Sequence, residues 1–213
     1  MTDYSTLKSR ALQLLGDPDG TRYDDATLQE AFRQALATYT RTCPQVRTEA
    51  ITFASAGAEQ PLEGLECPPL YLLEVSYPYP ASDGLKPPRP ACTLAYIDGA
   101  ALLRFADGTT PAAGEQARLT YAARHTLEGL DGAAAGSIPG GHEGVIALGA
   151  AVFAALQRIH RLAGSIGAPP AEPERLRELA EKYLERFNLE LFSLKSVQPV
   201  QGFPAGFNLD EWD

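Results

Sequence analysis

The 213-residue sequence predicts an α+β fold: a four-helix bundle formed from N- and C-terminal helical pairs, with an inserted small antiparallel β-domain and an extended C-terminal tail. Three observations predict it. Apolar residues recur at helical spacing towards both ends of the chain; from about Thr48 the period changes from 3.6 to 2; and after Leu194 periodicity is lost. The expected segments are a helical hairpin over 1–47, the β-domain over 48–125, a second helical pair over 126–194 and the tail over 195–213.

In the first helix, Ser5 is the expected N-cap, Leu7, Ala11, Leu14 and Leu15 form the apolar stripe, and Gly16 closes the segment. After the turn at 16–20, Asp24 or Asp25 caps a second helix with the stripe Leu28, Phe32, Ala35, Leu36 and Tyr39, which must end before Pro44. Short β-rich runs follow at 49–54, 70–77, 93–97, 100–105 and 117–122, and Asp98-Gly99 is a type I′ hairpin signal. Residues 78–90 hold Pro78, Pro80, Pro87, Pro88 and Pro90, which lack the donor a sheet ladder needs, so this stretch is a loop. Helical periodicity returns after Ile138-Pro139 in Val145, Ile146, Gly149, Val152, Phe153, Leu156 and Ile159. Small residues between these let other elements approach closely, as suits a core helix. A last helix has Pro173 at its first helical position, the stripe Leu176, Leu179, Tyr183, Phe187 and Leu191, and the favourable pair Glu178 and Lys182. The tail holds Phe203, Phe207 and Trp212.

Composition narrows the function classes. With 27 acidic and 18 basic residues the chain has a net charge of −9, which disfavours a surface built to neutralise phosphates. The longest apolar run, 145–156, falls short of the roughly 20 residues that cross a bilayer. No membrane partner is expected. Asp3, Lys8 and Arg10 interrupt any secretory h-region, so synthesis in the cytoplasm is expected. Cys43, Cys67 and Cys92 are odd in number and form no CxxC pair, which argues against disulfides or a zinc knuckle.

The chemical motifs fail on inspection. His142-Glu143 begins like HExxH, but Ile146 stands where the second histidine belongs. His125 and His160 lie in other segments and complete no metal triad. Asp17, Asp19, Asp24 and Asp25 lack the Gly and Glu positions of a calcium loop and read as a capped turn. Gly164-Ser165-Ile166-Gly167 lacks the strand that a nucleophile elbow requires. Pro87-Pro88-Arg89-Pro90 has PxxP spacing and reads as loop. The GxGxxG and GxxxxGK[ST] phosphate cradles are missing. No catalytic residue, cofactor or metal is expected.

The order helix, helix, β-domain, small-residue helix, charged helix, aromatic tail resembles the head-to-tail adaptor (connector) proteins of tailed bacteriophages over nearly the whole chain. The stretches that carry it are Leu28-Gln29-Glu30-Ala31-Phe32-Arg33-Gln34-Ala35-Leu36 and Leu119-Thr120-Tyr121-Ala122-Ala123-Arg124-His125-Thr126-Leu127, followed by Ile138-Pro139 and the Ala-rich helix. The chain departs from that pattern in its proline loop. The resemblance implies a structural virion protein of the neck: a homo-oligomeric ring, typically of twelve copies, docked under the portal protein. DNA passes through it without specific binding, and the next neck or tail ring, a stopper or tail protein, lies beyond. Phe203, Phe207 and Trp212 would anchor the tail on the portal or a neighbouring subunit, since aromatics dominate interface hot spots. The rival expectations are a neck stopper or tail-completion protein, and a small cytoplasmic enzyme or ligand-binding protein with its site between bundle and β-domain.

Overall fold

Four helices and six strands run in the order α1 (Tyr4–Leu14), α2 (Asp25–Thr42), β1 (Gln45–Thr52), β2 (Glu59–Pro61), β3 (Pro69–Ser76), β4 (Cys92–Ile97), β5 (Ala100–Phe105), β6 (Gln116–Ala123), α3 (Glu143–Ala163) and α4 (Ala171–Val197). The computed structural model describes residues 3–80, 88–164 and 171–197. These divide into two units, one from the described residues of Met1–Pro44 and His125–Gln198, the other from Gln45–Arg124.

Local chemistry starts each of the first two helices. Asp3, two residues before the expected cap Ser5, accepts the amide of Thr6 at 2.7 Å. Asp24 caps α2 by accepting the Thr27 amide at 2.7 Å and the Thr27 hydroxyl at 2.6 Å. Each satisfies a donor that the first helical turn leaves unpaired. Gly16 follows α1 with φ +64°, a conformation that side chains with a Cβ rarely adopt.

The expected bundle of two helical pairs is corrected. α1 and α2 do not pack as a hairpin; both lie against α3, which also packs on α4, while α2 and α4 barely meet. The cause is the surface of α3. Val145 to Val152 are buried without a break, and Ala150, Ala151, Ala154 and Ala155 leave room on several sides. At Gly149 a Cβ would lie 2.7 Å from Phe187 of α4 and 3.1 Å from the Cβ of Ala35 of α2, so two helices close on one position. A helix that is apolar all round attracts neighbours on every side, and chain order then does not decide which helices pair. α3, at 21 residues, has the length and composition to cross a membrane, with 56% of its most apolar window buried inside the protein. α4 runs through Val197, so the expected tail begins inside it; residues 198–213 lie outside the described part.

The expected small β-domain is likewise corrected to two three-stranded antiparallel sheets, ordered β1-β6-β3 and β2-β5-β4. β6 is the centre of the first, with Ala117, Leu119, Tyr121 and Ala123 fully buried at period 2. These residues share one core with Leu103 and Phe105 of β5. Phe53, Tyr77 and Phe105 cluster there with ring centroids 5.5–6.0 Å apart. Asp98 and Gly99 both have positive φ and join β4 to β5, the hairpin that their sequence predicts. β2 was not expected: three residues are too few to show alternation, and its buried member is Gln60, whose amide donates to the carbonyls of Ser55 and Gly57 at 3.1 and 2.7 Å. The proline loop is pinned at its flanks, where Tyr77 and Tyr79 donate their amides to Pro88 and Gln116; residues 81–87 lie outside the described part.

Candidate functional site

The sequence-derived anchors Phe203, Phe207 and Trp212 lie outside the described residues, as do three of the four elbow positions and Pro87 of the PxxP run. The acidic cluster resolves into two separate devices. Asp24 caps α2. Asp17, buried, accepts the amides of Thr21, Arg22 and Tyr23 at 2.8–3.2 Å and the Thr21 hydroxyl at 3.0 Å. Burial alone would raise its carboxyl; the donors of Arg22, Thr21 and Tyr23 outweigh that and hold it below the usual carboxylate range. No group of His, Cys, Asp and Glu among the described residues has the arrangement to hold a metal ion.

Two of the histidines meet around Tyr39. His125 is buried, its Nε2 2.9 Å from the Cys43 carbonyl and its Nδ1 3.1 Å from both the carbonyl and the hydroxyl of Ser137. Burial lowers its pKa, partly offset by the carbonyls of Cys43 and Ser137, so at neutral pH the ring is uncharged. Its Nε2–H then donates to Cys43, Nδ1 accepts from the Ser137 hydroxyl, and that hydroxyl accepts the Thr126 amide at 2.8 Å. The Tyr39 hydroxyl lies 2.5 Å from Nδ1 of His142, the N-cap residue of α3. Burial pushes the Tyr39 hydroxyl and the Cys43 thiol up, so both stay protonated. This cluster ties the C-terminal end of α2 to the loop before α3. Both nitrogens of His125 are engaged, and it works as a latch.

The surface of α4 offers more. Its buried stripe, Leu176, Ala180, Phe187 and Leu191, faces the helical core. On the opposite side Leu189 and Phe192, 64% and 72% exposed, sit three residues apart and form an apolar knob near the end of the helix. Nearer the start of α4, two clefts of about 460 and 350 Å³ share Leu15, Arg175 and Leu179 and so form one groove. The end of α1 makes the other wall, held by the Tyr183 hydroxyl donating to the Leu14 carbonyl at 3.2 Å. Arg22 and Arg158 at the groove are occupied, the first by Asp17 and the second by Glu172 at 2.6 Å. Arg175 and Lys182, seven residues apart on one face, have no ion-pair partner among the described residues. Glu178 lies between them. In the second unit Tyr96 and Ile97 are exposed at the β4–β5 hairpin.

Sequence reading missed this groove and the knob. Leu179 fits the apolar stripe of α4, and periodicity cannot show that α1 ends before covering it. Leu189 and Phe192 were visible as apolar residues off that stripe, the one signal that could have found them. No protein-family model matches the chain, and no curated protein matches it.

Proposed function

We propose that the chain is a structural virion protein, a head-to-tail adaptor whose copies form a ring under the portal and part of the DNA channel. The observation that carries this reading is the Leu189 and Phe192 knob on α4. Large apolar side chains left adjacent and exposed on a helix mark a protein-docking surface more than a small-molecule site. The chain continues from that helix into the segment with Phe203, Phe207 and Trp212. The net charge of −9 supports a wall that DNA slides past without sticking. An enzyme would need convergent, available polar groups, and the Tyr39, His125 and His142 cluster is already engaged in holding the fold.

The test is negative-stain electron microscopy of the tagged chain purified from cells that also make portal and neck proteins. Rings or portal-sized cones attached to the tag are expected. Isolated monomers under those conditions would overturn the reading.

A further inference from the structure

We infer that the groove between the end of α1 and the first half of α4 receives the acidic, aromatic segment 207–213 of a second copy of this chain. The inference deepens the proposed function and rests on it only in requiring that copies of the chain associate.

Charge and shape both point to this occupant. The groove is lined by Leu14, Leu15, Leu176 and Leu179 together with Arg175 and Lys182, which have no ion-pair partner among the described residues. Residues 198–213 carry Asp210, Glu211 and Asp213, no Lys or Arg, and the apolar residues Phe207, Leu209 and Trp212 among them. A segment that combines Phe207, Leu209 and Trp212 with three carboxylates complements leucines flanked by cations: the apolar side chains displace water from the groove, and the carboxylates meet Arg175 and Lys182. Glu178 limits the electrostatic share, so the rings carry most of the affinity.

Reach favours a second copy over the same chain. At the helical rise of 1.5 Å per residue, Val197 lies about 22 Å beyond Lys182 and about 33 Å beyond Arg175. The nine residues 198–206 that precede Phe207 can span at most about 30 Å even when fully extended. Docking on its own groove would stretch this linker, whereas a neighbour's groove imposes no such distance.

The experiment uses full-length chains and two variants: a groove variant, Arg175→Glu with Lys182→Glu, and a tail variant, Phe207→Ala with Trp212→Ala. Arg175 and Lys182 are exposed, and unchanged circular dichroism at 222 nm checks that each variant folds. Sedimentation velocity across a concentration series should show wild type associating and each variant doing so at least about ten-fold more weakly. Mixing the variants should restore dimers that grow no further, because the groove-variant chain still has a native tail and the tail-variant chain a native groove. Emission of Trp212, the only tryptophan, should shift to the blue as wild-type concentration rises. A mixture that stays monomeric, variants that associate like wild type, or a blue-shifted Trp212 in the dilute monomer would each overturn the inference. Wild type that joins portal cones while remaining monomeric alone would overturn it too and leave the proposed function standing. Self-made rings that never bind portal would do the reverse.

Discussion

Gly149→Ala tests the idea that α3 organises the helices by letting them come close. The added Cβ would stand 2.7 and 2.8 Å from Cε2 and Cζ of Phe187 and 3.1 Å from the Cβ of Ala35, against the 3.5–4.0 Å at which carbon atoms attract. Phe187 is fully buried, with its ring centroid 6.4 Å from that of Phe153, and Ala35 is fully buried on another helix. Relief therefore needs movement on two sides at once. Overpacking of this kind costs about 1–3 kcal/mol, and the upper half of that range applies where two neighbours must yield. Alanine returns about 1 kcal/mol of helix propensity over glycine, leaving the variant about 1–2 kcal/mol less stable. Urea unfolding followed at 222 nm reads this directly, since all four helices belong to one unit. Phe187→Leu, destabilising alone, should be neutral or stabilising beside Gly149→Ala, a coupling of at least about 1 kcal/mol. A Gly149→Ala protein as stable as wild type would refute the close-approach account.

Three further outcomes are expected. His125 holds its folded pKa below the ordinary 6.5, so the unfolded chain binds the extra proton first; its contribution is complete above pH 6.5 and is lost as pH falls towards the folded value. Urea midpoints should therefore decline as pH falls below 6.5 in wild type, and decline less in His125→Gln; equal slopes would remove the latch. Asp17→Ala strips the acceptor from three backbone amides and should cost about 3 kcal/mol by the same unfolding assay, with a loss below about 1 kcal/mol arguing that water replaces the carboxylate. Leu189→Ser with Phe192→Ser should leave the unfolding midpoint within about 0.5 kcal/mol of wild type yet abolish recovery of portal cones; intact recovery would detach the knob from the proposed function.

What could be read in the sequence was local. Asp24 as a cap, Asp98-Gly99 as a hairpin turn and the alternation along 117–122 depend on neighbours a few residues away, and each stands where its chemistry requires. Helix pairing depends on which surfaces fit. The short turn between α1 and α2 suggests a hairpin, but the closest fit for both is the small-residue surface of α3, which no spacing in α1 or α2 encodes. The groove escaped for a related reason. α1 is 11 residues long and α4 is 27, about 16 Å against about 40 Å, so α4 extends past its neighbour, and a leucine of the apolar stripe there borders open space.

The two surfaces of α4 impose different symmetries if both are used. A tail seated in a groove joins unlike patches, so one copy's acceptor is always free for the next, and repetition ends only when a ring closes. The knob of Leu189 and Phe192, paired with itself on a second copy, would instead give a two-fold dimer that stops at two. A single ring therefore requires that the knob not pair with its own kind in the assembled state, since that pairing would join two rings face to face, and a portal subunit or the next neck ring is the partner the proposed function supplies. A joint made by one short segment is weak alone and gains strength when closure makes the last joint intramolecular. The dilute chain is then monomeric, assembly is steep in concentration, and a portal that gathers copies through their knobs would set where the ring forms.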